Sequence, residues 1–124
     1  MEEINTSDAP DAIGPYSQAI ADQGRVYVSG QGPVSPESGD VVSTDVAEQT
    51  AQTIENVARI LEAAGTSLER VVHTNVYLTD MQDYDTVNEV YAEYLSEPYP
   101  ARAAMEVSRL PIEIAVEIEA TARL

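Results

Sequence analysis

The sequence offers few side chains with chemistry of their own. There is no cysteine, which excludes a thiol nucleophile, a disulfide and a cysteine-ligated metal. His73 is the only histidine; it lies in a β-branched run with no Ser or Cys partner in view and reads as a packing residue. One histidine, with carboxylates that lack the spacing of a calcium-binding loop, predicts no metal site and no cofactor. All six basic residues are arginines (Arg25, Arg59, Arg70, Arg102, Arg109 and Arg123), set against 22 Asp and Glu. In so anionic a chain, a negatively charged substrate needs a local cation, and only these six can supply it.

Arg102 follows Tyr99-Pro100-Ala101 inside an alternating segment. It reads either as a strand arginine paired with one of the surplus carboxylates, or as a planar fork that grips a substrate carboxylate through two parallel hydrogen bonds. The residues alone leave both open. Glu117 and Glu119 stand two apart, hence on one strand face, and read as a solvated sheet surface. Ser29-Gly30-Gln31-Gly32-Pro33 lacks the following helix and the lysine of a phosphate loop. Its glycines suit a place where backbone approaches a small ligand. Tyr16, in Gly14-Pro15-Tyr16, is either a core aromatic or a hydroxyl aimed into a cleft. Asn88 lies four and three residues from Tyr84 and Tyr91 on the apolar stripe of a helix. Its amide is either a structural bridge or part of a site.

The elements that must position these residues are marked by periodicity and punctuation. Residues 17–21 and 25–29 flank Asp22-Gln23-Gly24 and predict a hairpin, with a short third strand around Val41. Val46, Thr50, Ile54, Val57, Leu61 and Ala64 recur at steps of three and four, the stripe of a helix. Asp45 with Glu48 has capping-box spacing, and Gly65 stands where a C-terminal cap belongs. Residues 71–79 predict a strand. A second helix, opened by Asp80 or Asp83, carries Tyr84, Val87, Tyr91, Tyr94 and Leu95 on its apolar face. Residues 101–107 alternate, with Ala101, Ala103, Met105 and Val107 opposite Arg102, Glu106 and Ser108. The last segment sets Ile114, Val116, Ile118, Ala120 and Ala122 against Glu113, Glu117, Glu119, Thr121 and Arg123. The order β-β-(β)-α-β-α-β-β predicts an α+β fold: one mixed sheet with two helices on one face. Tyr27, Thr74, Val76 and Ala104 are too apolar for an uncovered face to meet water everywhere, so oligomerisation through the sheet is expected.

At 124 residues and 44% hydrophobic composition, the chain predicts a single domain over 1–124. The opening Met1-Glu2-Glu3-Ile4-Asn5-Thr6 has no apolar run, so no secretory signal is expected. No stretch approaches the roughly 20 apolar residues of a membrane span, and the expected location is cytoplasmic. The formal net charge of -16 repels phosphate backbones and anionic lipid, which argues against nucleic-acid and membrane partners.

Several motifs together resemble the RidA/YjgF family over nearly the whole chain. They are Ala9-Pro10-Asp11-Ala12-Ile13-Gly14-Pro15-Tyr16-Ser17-Gln18, Val28-Ser29-Gly30-Gln31, then Gln49, Asn56 and Leu61-Glu62-Ala63-Ala64-Gly65. The most specific is Pro100-Ala101-Arg102-Ala103-Ala104-Met105-Glu106-Val107-Ser108-Arg109-Leu110-Pro111, followed by Val116-Glu117-Ile118-Glu119-Ala120. The resemblance implies a chorismate-mutase-like fold and a homotrimer with a central β-barrel and three clefts between subunits. It also implies hydrolysis of 2-imino or 2-enamino acids, such as 2-aminoacrylate/2-iminopropanoate and 2-iminobutanoate, to 2-keto acids and ammonia. In that scheme Arg102 holds the substrate carboxylate and Glu117 places or activates water. Tyr16, Ser29, Gly30 and Asn88 line the cleft. Many members carry cysteine two residues after the arginine; here Ala104 leaves only its backbone to contribute. Ser96-Glu97-Pro98-Tyr99 also looks short, which bears on the cleft rim and substrate size.

The alternative is a non-catalytic, regulatory trimer that binds keto acids or amino acids. Glu117 favours the enzyme, because a pure carboxylate receptor gains nothing from a nearby anion. The endoribonuclease activity attributed to some members fits poorly with the anionic surface. Loss of every lysine together with the acid surplus points to adaptation to high salt, where cations screen carboxylate repulsion. The expected outcome is a higher unfolding midpoint in molar KCl than in low salt. An unchanged midpoint, or a higher one in low salt, counts against that reading.

Overall fold

The last strand sets the register of the whole sheet. In the computed structural model, which describes residues 1–124, β6 (Val116–Arg123) runs between two neighbours. It buries Val116, Ile118, Ala120 and Ala122 while Glu117, Glu119 and Thr121 stay half-exposed. That period of two is the one the sequence shows. The other strands are β1 (Glu2–Ile4), β2 (Ala19–Asp22), β3 (Arg25–Gln31), β4 (Val71–Leu78) and β5 (Ala101–Glu106). They form one six-stranded sheet in the order β1-β2-β3-β6-β4-β5. All neighbouring pairs are antiparallel except β4 and β5. The parallel pair needs a crossover, which α2 (Tyr84–Tyr94) provides.

Both helices pack on one face. From α1 (Val46–Ala63), Val57, Ile60 and Leu61 meet Val26, Val28, Ala120 and Ala122. Ile54 joins Val87, Tyr91 and Leu95 over Val76, Leu78, Val116 and Ile118. The side chain of Asp45 accepts from the Glu48 N–H at 3.0 Å, closing the N-terminus of α1. At its other end Gly65 takes φ +88°, and the N–H groups of Gly65 and Thr66 reach back to the carbonyls of Glu62 and Leu61. That is a Schellman cap, placed where the glycine predicts it. No helix is long and apolar enough to cross a membrane.

Four expectations change. β1 is an extra edge strand, too short for its alternation to show in the sequence. Val41 makes only an isolated bridge to Val34. His73 is exposed on the open face instead of packed. Most important, the faces of β5 are inverted. Thr74 pairs with Arg102 and Val76 with Ala104, and Thr74 and Val76 are buried beneath the helices. Arg102 and Ala104 therefore share the helix-covered face, while Ala101, Ala103 and Met105 join Tyr27 on the open one. Of Tyr27, Thr74, Val76 and Ala104, expected on the uncovered face, only Tyr27 lies there; the other three are under the helices, where α2 supplies tyrosines that accept an arginine, and the small residues of β5 face outward.

Three buried amides hold the irregular segments to this frame. Gln18 Nε2 donates to the carbonyls of Pro10, Thr6 and Ala9 at 2.8, 3.1 and 3.4 Å, and its Oε1 accepts from the Thr6 N–H at 2.8 Å. Gln49 links the Ser43 carbonyl (2.9 Å) to the Ala115 N–H (2.8 Å). Asn56 Nδ2 donates to the carbonyls of Gly32 and Val34 at 3.0 and 2.9 Å. Each amide replaces water for main-chain groups that have no ladder partner. Asn56→Leu keeps the volume and strands both carbonyls, so it should destabilise the fold by about 1–3 kcal/mol. Urea unfolding checks this, and an unchanged midpoint would show that the loop holds without the amide.

Candidate functional site

Arg102 is held by aromatic faces. Its guanidinium carbon lies 4.9 Å from the ring centroid of Tyr91 and 5.6 Å from that of Tyr84. Its Nη2 donates to the Tyr84 hydroxyl at 3.0 Å. Tyr91 is itself fixed by a 2.8 Å hydrogen bond between its hydroxyl and that of Thr74, the β4 residue paired with Arg102. Such a stack contributes about 0.5–2 kcal/mol and leaves most guanidinium donors free. No carboxylate comes within ion-pair distance of Arg102, and the one ion pair in the chain joins the Met1 amino group to Asp22. The reading of Arg102 as half of an internal ion pair is thus set aside. Around it Asn88, Ala92, Tyr99 and Pro100 enclose a cavity of about 320 Å³. Asn88 is half-buried at the wall of this cavity rather than bridging the core.

Glu117 stands in a second cleft, of about 420 Å³, with Asp11, Ile13, Tyr16 and Gly30 in its lining. Opposite it β3 bulges between Val28 and Gln31, which brings the backbone of Gly30 against the carboxylate. A Cβ at Gly30 would lie 2.7 Å from Glu117 Oε2, so the close approach predicted for the glycines is made to a glutamate side chain. The Glu117 carboxyl is half-buried and its proton affinity is raised, first by burial and then by the negative charge of Glu119. Glu119 is not the solvated residue expected. It accepts from the Tyr77 hydroxyl at 2.5 Å and from Asn75 Nδ2 at 2.9 Å. The Tyr77 phenol is pushed up to about 12 by that hydrogen bond, by burial and by the charge of Glu119.

Of the remaining candidates only Tyr16 lines one of the two clefts; Ser29 and Ala104 line neither. Tyr16 is half-exposed over the Glu117 cleft, and its hydroxyl accepts from the Ile13 N–H at 3.2 Å. Ser29 turns its hydroxyl to the Ser17 carbonyl at 2.6 Å, so in this chain it shapes the bulge. Ala104 packs beneath α2, two residues along β5 from Arg102. The sheet separates the groups: Arg102 with Asn88 and Ala104 lies on the helix-covered face, Glu117 with its neighbours Tyr77 and Glu119 on the open one. Tyr84, Tyr91, Tyr77 and Glu119 were missed as parts of these clefts. The two helix tyrosines were legible as an apolar stripe but not as a cradle, which only the β4–β5 register reveals.

Comparison with known proteins adds a family. The sequence model described as Endoribonuclease L-PSP matches residues 6–124. A RutC family protein of Pyrococcus horikoshii is 52% identical over 121 residues, 98% of this chain and 96% of that protein. The human 2-iminobutanoate/2-iminopropanoate deaminase is 48% identical over 119 residues, 96% of this chain and 87% of that protein. Among solved structures, RidA from the Antarctic bacterium Psychrobacter sp. superposes with a TM-score of 0.97 at 45% identity, covering 100% of both chains. E. coli TdcF with bound serine gives 0.95 at 39% identity, covering 100% of this chain and 99% of that one.

The contact of Gly30 with Glu117 is open to a double-mutant cycle. Gly30→Ala should cost about 1–2 kcal/mol because its methyl displaces the carboxylate, and should cost much less in a Glu117→Ala background. Equal costs in both backgrounds, measured by urea unfolding, would place the strain elsewhere.

Proposed function

The chain belongs to the Endoribonuclease L-PSP family, which takes in the RidA proteins, and from that membership we propose that it is a deaminase. It hydrolyses 2-imino and 2-enamino acids to 2-keto acids and ammonia. The carrying observation is the Arg102 guanidinium, stacked on Tyr91 and free of any carboxylate of its own chain. In a chain of net charge -16, such a cation is a prepared seat for a substrate carboxylate. The mammalian relatives named 2-iminobutanoate/2-iminopropanoate deaminase support the choice of substrate.

The reaction needs little from the protein. After an enamine tautomerises, C2 of the imine is already electrophilic. Arg102 anchors the carboxylate and so fixes C2 beside a water. The water oxygen bonds to C2 as one of its protons passes through Glu117 to the imine nitrogen. The carbinolamine then collapses: the hydroxyl proton returns to nitrogen by the same carboxylate, the C–N bond breaks, and ammonia leaves a keto acid. Glu117 ends as it began. A carboxyl whose proton affinity is raised by burial suits a relay that both takes and gives a proton.

Arg102 and Glu117 point to opposite faces of one sheet, so a cleft containing both must be built from two copies, the arginine of one facing the glutamate of the next. On the open face, exposed Tyr27 of β3 and Ala101, Ala103 and exposed Met105 of β5 favour burial against a neighbour. A ring of three copies closes this head-to-tail contact, forming a homotrimer about a barrel of sheets. Serine bound in TdcF favours a second reading, a carboxylate receptor without turnover, and the assay separates the two.

Keto-acid formation from a PLP-dependent serine or threonine dehydratase should accelerate with this protein. It should fall roughly 10²-fold with Arg102→Ala and about 10²–10⁴-fold with Glu117→Gln. Mixing the two inactive variants as unfolded chains and refolding them together should restore roughly a quarter of the activity, since each mixed ring regains one intact cleft. Light scattering should give about three times the 13.4 kDa chain mass. A monomer, or mixed variants that stay inactive, would sink the shared cleft; binding with no turnover would leave the receptor.

A further inference from the structure

We propose that Glu119 is a positioning residue: gripped by Tyr77 and Asn75 on the strand face it shares with Glu117, it sets the surroundings in which Glu117 handles the water's proton. The inference rests on the deaminase reading of Glu117 and adds to it the residue that sets its working range.

The two carboxylates are near-equivalent in sequence, two residues apart on one face of one strand. Their surroundings differ. Glu119 Oε1 accepts two hydrogen bonds, from a phenol at 2.5 Å and an amide at 2.9 Å, which fix its carboxylate in place. Tyr77 stays protonated as the donor, because the same contact holds its phenol up at about 12. Glu117 accepts no hydrogen bond from its own chain and is half-buried against the bulge at Gly30. A carboxylate fixed on the same strand face raises the proton affinity of its neighbour by like-charge repulsion.

The groups that face Glu117 can be named element by element. Tyr77 is its register partner on β4, Glu119 its neighbour on β6, and Gly30 the uncharged backbone of β3. Asp11 and Tyr16 line the cleft from the segment before β2, and Ile112 and Ile114 close it without charge. In the proposed assembly the Arg102 of a second copy faces it too and pulls its proton affinity down. That pull is common to every variant with Arg102 intact, so the sign of the Glu119 effect is independent of assembly.

The test is a pH titration of the Glu117 side-chain carboxyl, followed by its ¹³C chemical shift in the intact assembly. Removing the Glu119 charge with Glu119→Gln should move the Glu117 midpoint to lower pH. The acid limb of kcat/KM should move the same way, since the ionised form is the one that accepts the water's proton. Tyr77→Phe, which releases the Glu119 carboxylate from its fixed place beside Glu117, should lower the Glu117 midpoint as well. A Glu117 midpoint that stays or rises in Glu119→Gln overturns the proposal. If that variant does not fold, Tyr77→Phe decides, and a Glu117 midpoint that stays or rises overturns it. The titration needs no turnover. Inactive protein with the predicted shifts removes the deaminase reading alone, and active protein without them removes this inference alone.

Discussion

A pleated strand sends successive side chains to opposite faces, and a sheet one residue thick cannot be crossed by an arginine on one side and a glutamate on the other. Register makes that constraint specific. Arg102 pairs with Thr74, and Thr74 with Ala120, all on the face under the helices. Glu117 pairs with Tyr77 on the face the helices leave bare. The two groups therefore acquire separate environments, one aromatic and one carboxylate-rich. Each half is well formed alone: Tyr84, Tyr91 and Thr74 fix the arginine, and the bulge at Gly30 fixes the glutamate. What the single chain lacks is only their meeting.

Neutral hydrogen bonds, not ion pairs, hold the segments that shape both clefts. Gln18 fastens residues 6–10 beside the Glu117 cleft, and Asn56 fastens the backbone just after the bulge. No arginine forms an ion pair with an Asp or Glu side chain. Arg70 instead donates to the main-chain carbonyl of Arg123 and to the main-chain oxygen of the last residue, Leu124. Amide contacts are indifferent to ionic strength, whereas surface ion pairs weaken as salt rises. A chain with 22 acids thus keeps its fold in contacts that salt does not touch and leaves its charges to the solvent.

Much of this was legible in the residues. The α1 stripe, its Asp45 and Gly65 caps, the hairpin and the alternation of β6 follow from periodicity and turn chemistry, which are local. The mixed sheet under two helices followed from their order. What stayed hidden depends on pairing between distant strands. The alternation of β5 shows two faces but not which is buried, and Thr74, Val76 and Ala104, read as belonging to the uncovered face, lie under the helices. Ala101, Ala103 and Met105 are small or flexible enough to face outward, while the stem of Arg102 packs against tyrosine rings. For the same reason the family motif marked Arg102 and Glu117 without showing that one chain keeps them apart. Glu119 looked solvated because its donors, Asn75 and Tyr77, come from a strand some forty residues earlier.

The surplus of acids and the loneliness of Arg102 belong to one electrostatic argument. A guanidinium paired with an internal carboxylate would have to exchange one anion for another on binding, gaining little. Held on neutral aromatic faces, it keeps its charge uncompensated at the cost of a cation–π contact that a ligand need not break. The surrounding negative charge then acts on selectivity. An anion gains nothing from the general surface and is attracted only where the local cation outweighs it. In the proposed reaction a carboxylate facing Glu117 would meet less repulsion when Glu117 holds its proton, the direction in which burial and Glu119 both push it. On that reading, binding an anion and relaying protons are demands that the sheet keeps apart, with Arg102 on one face and Glu117 on the other.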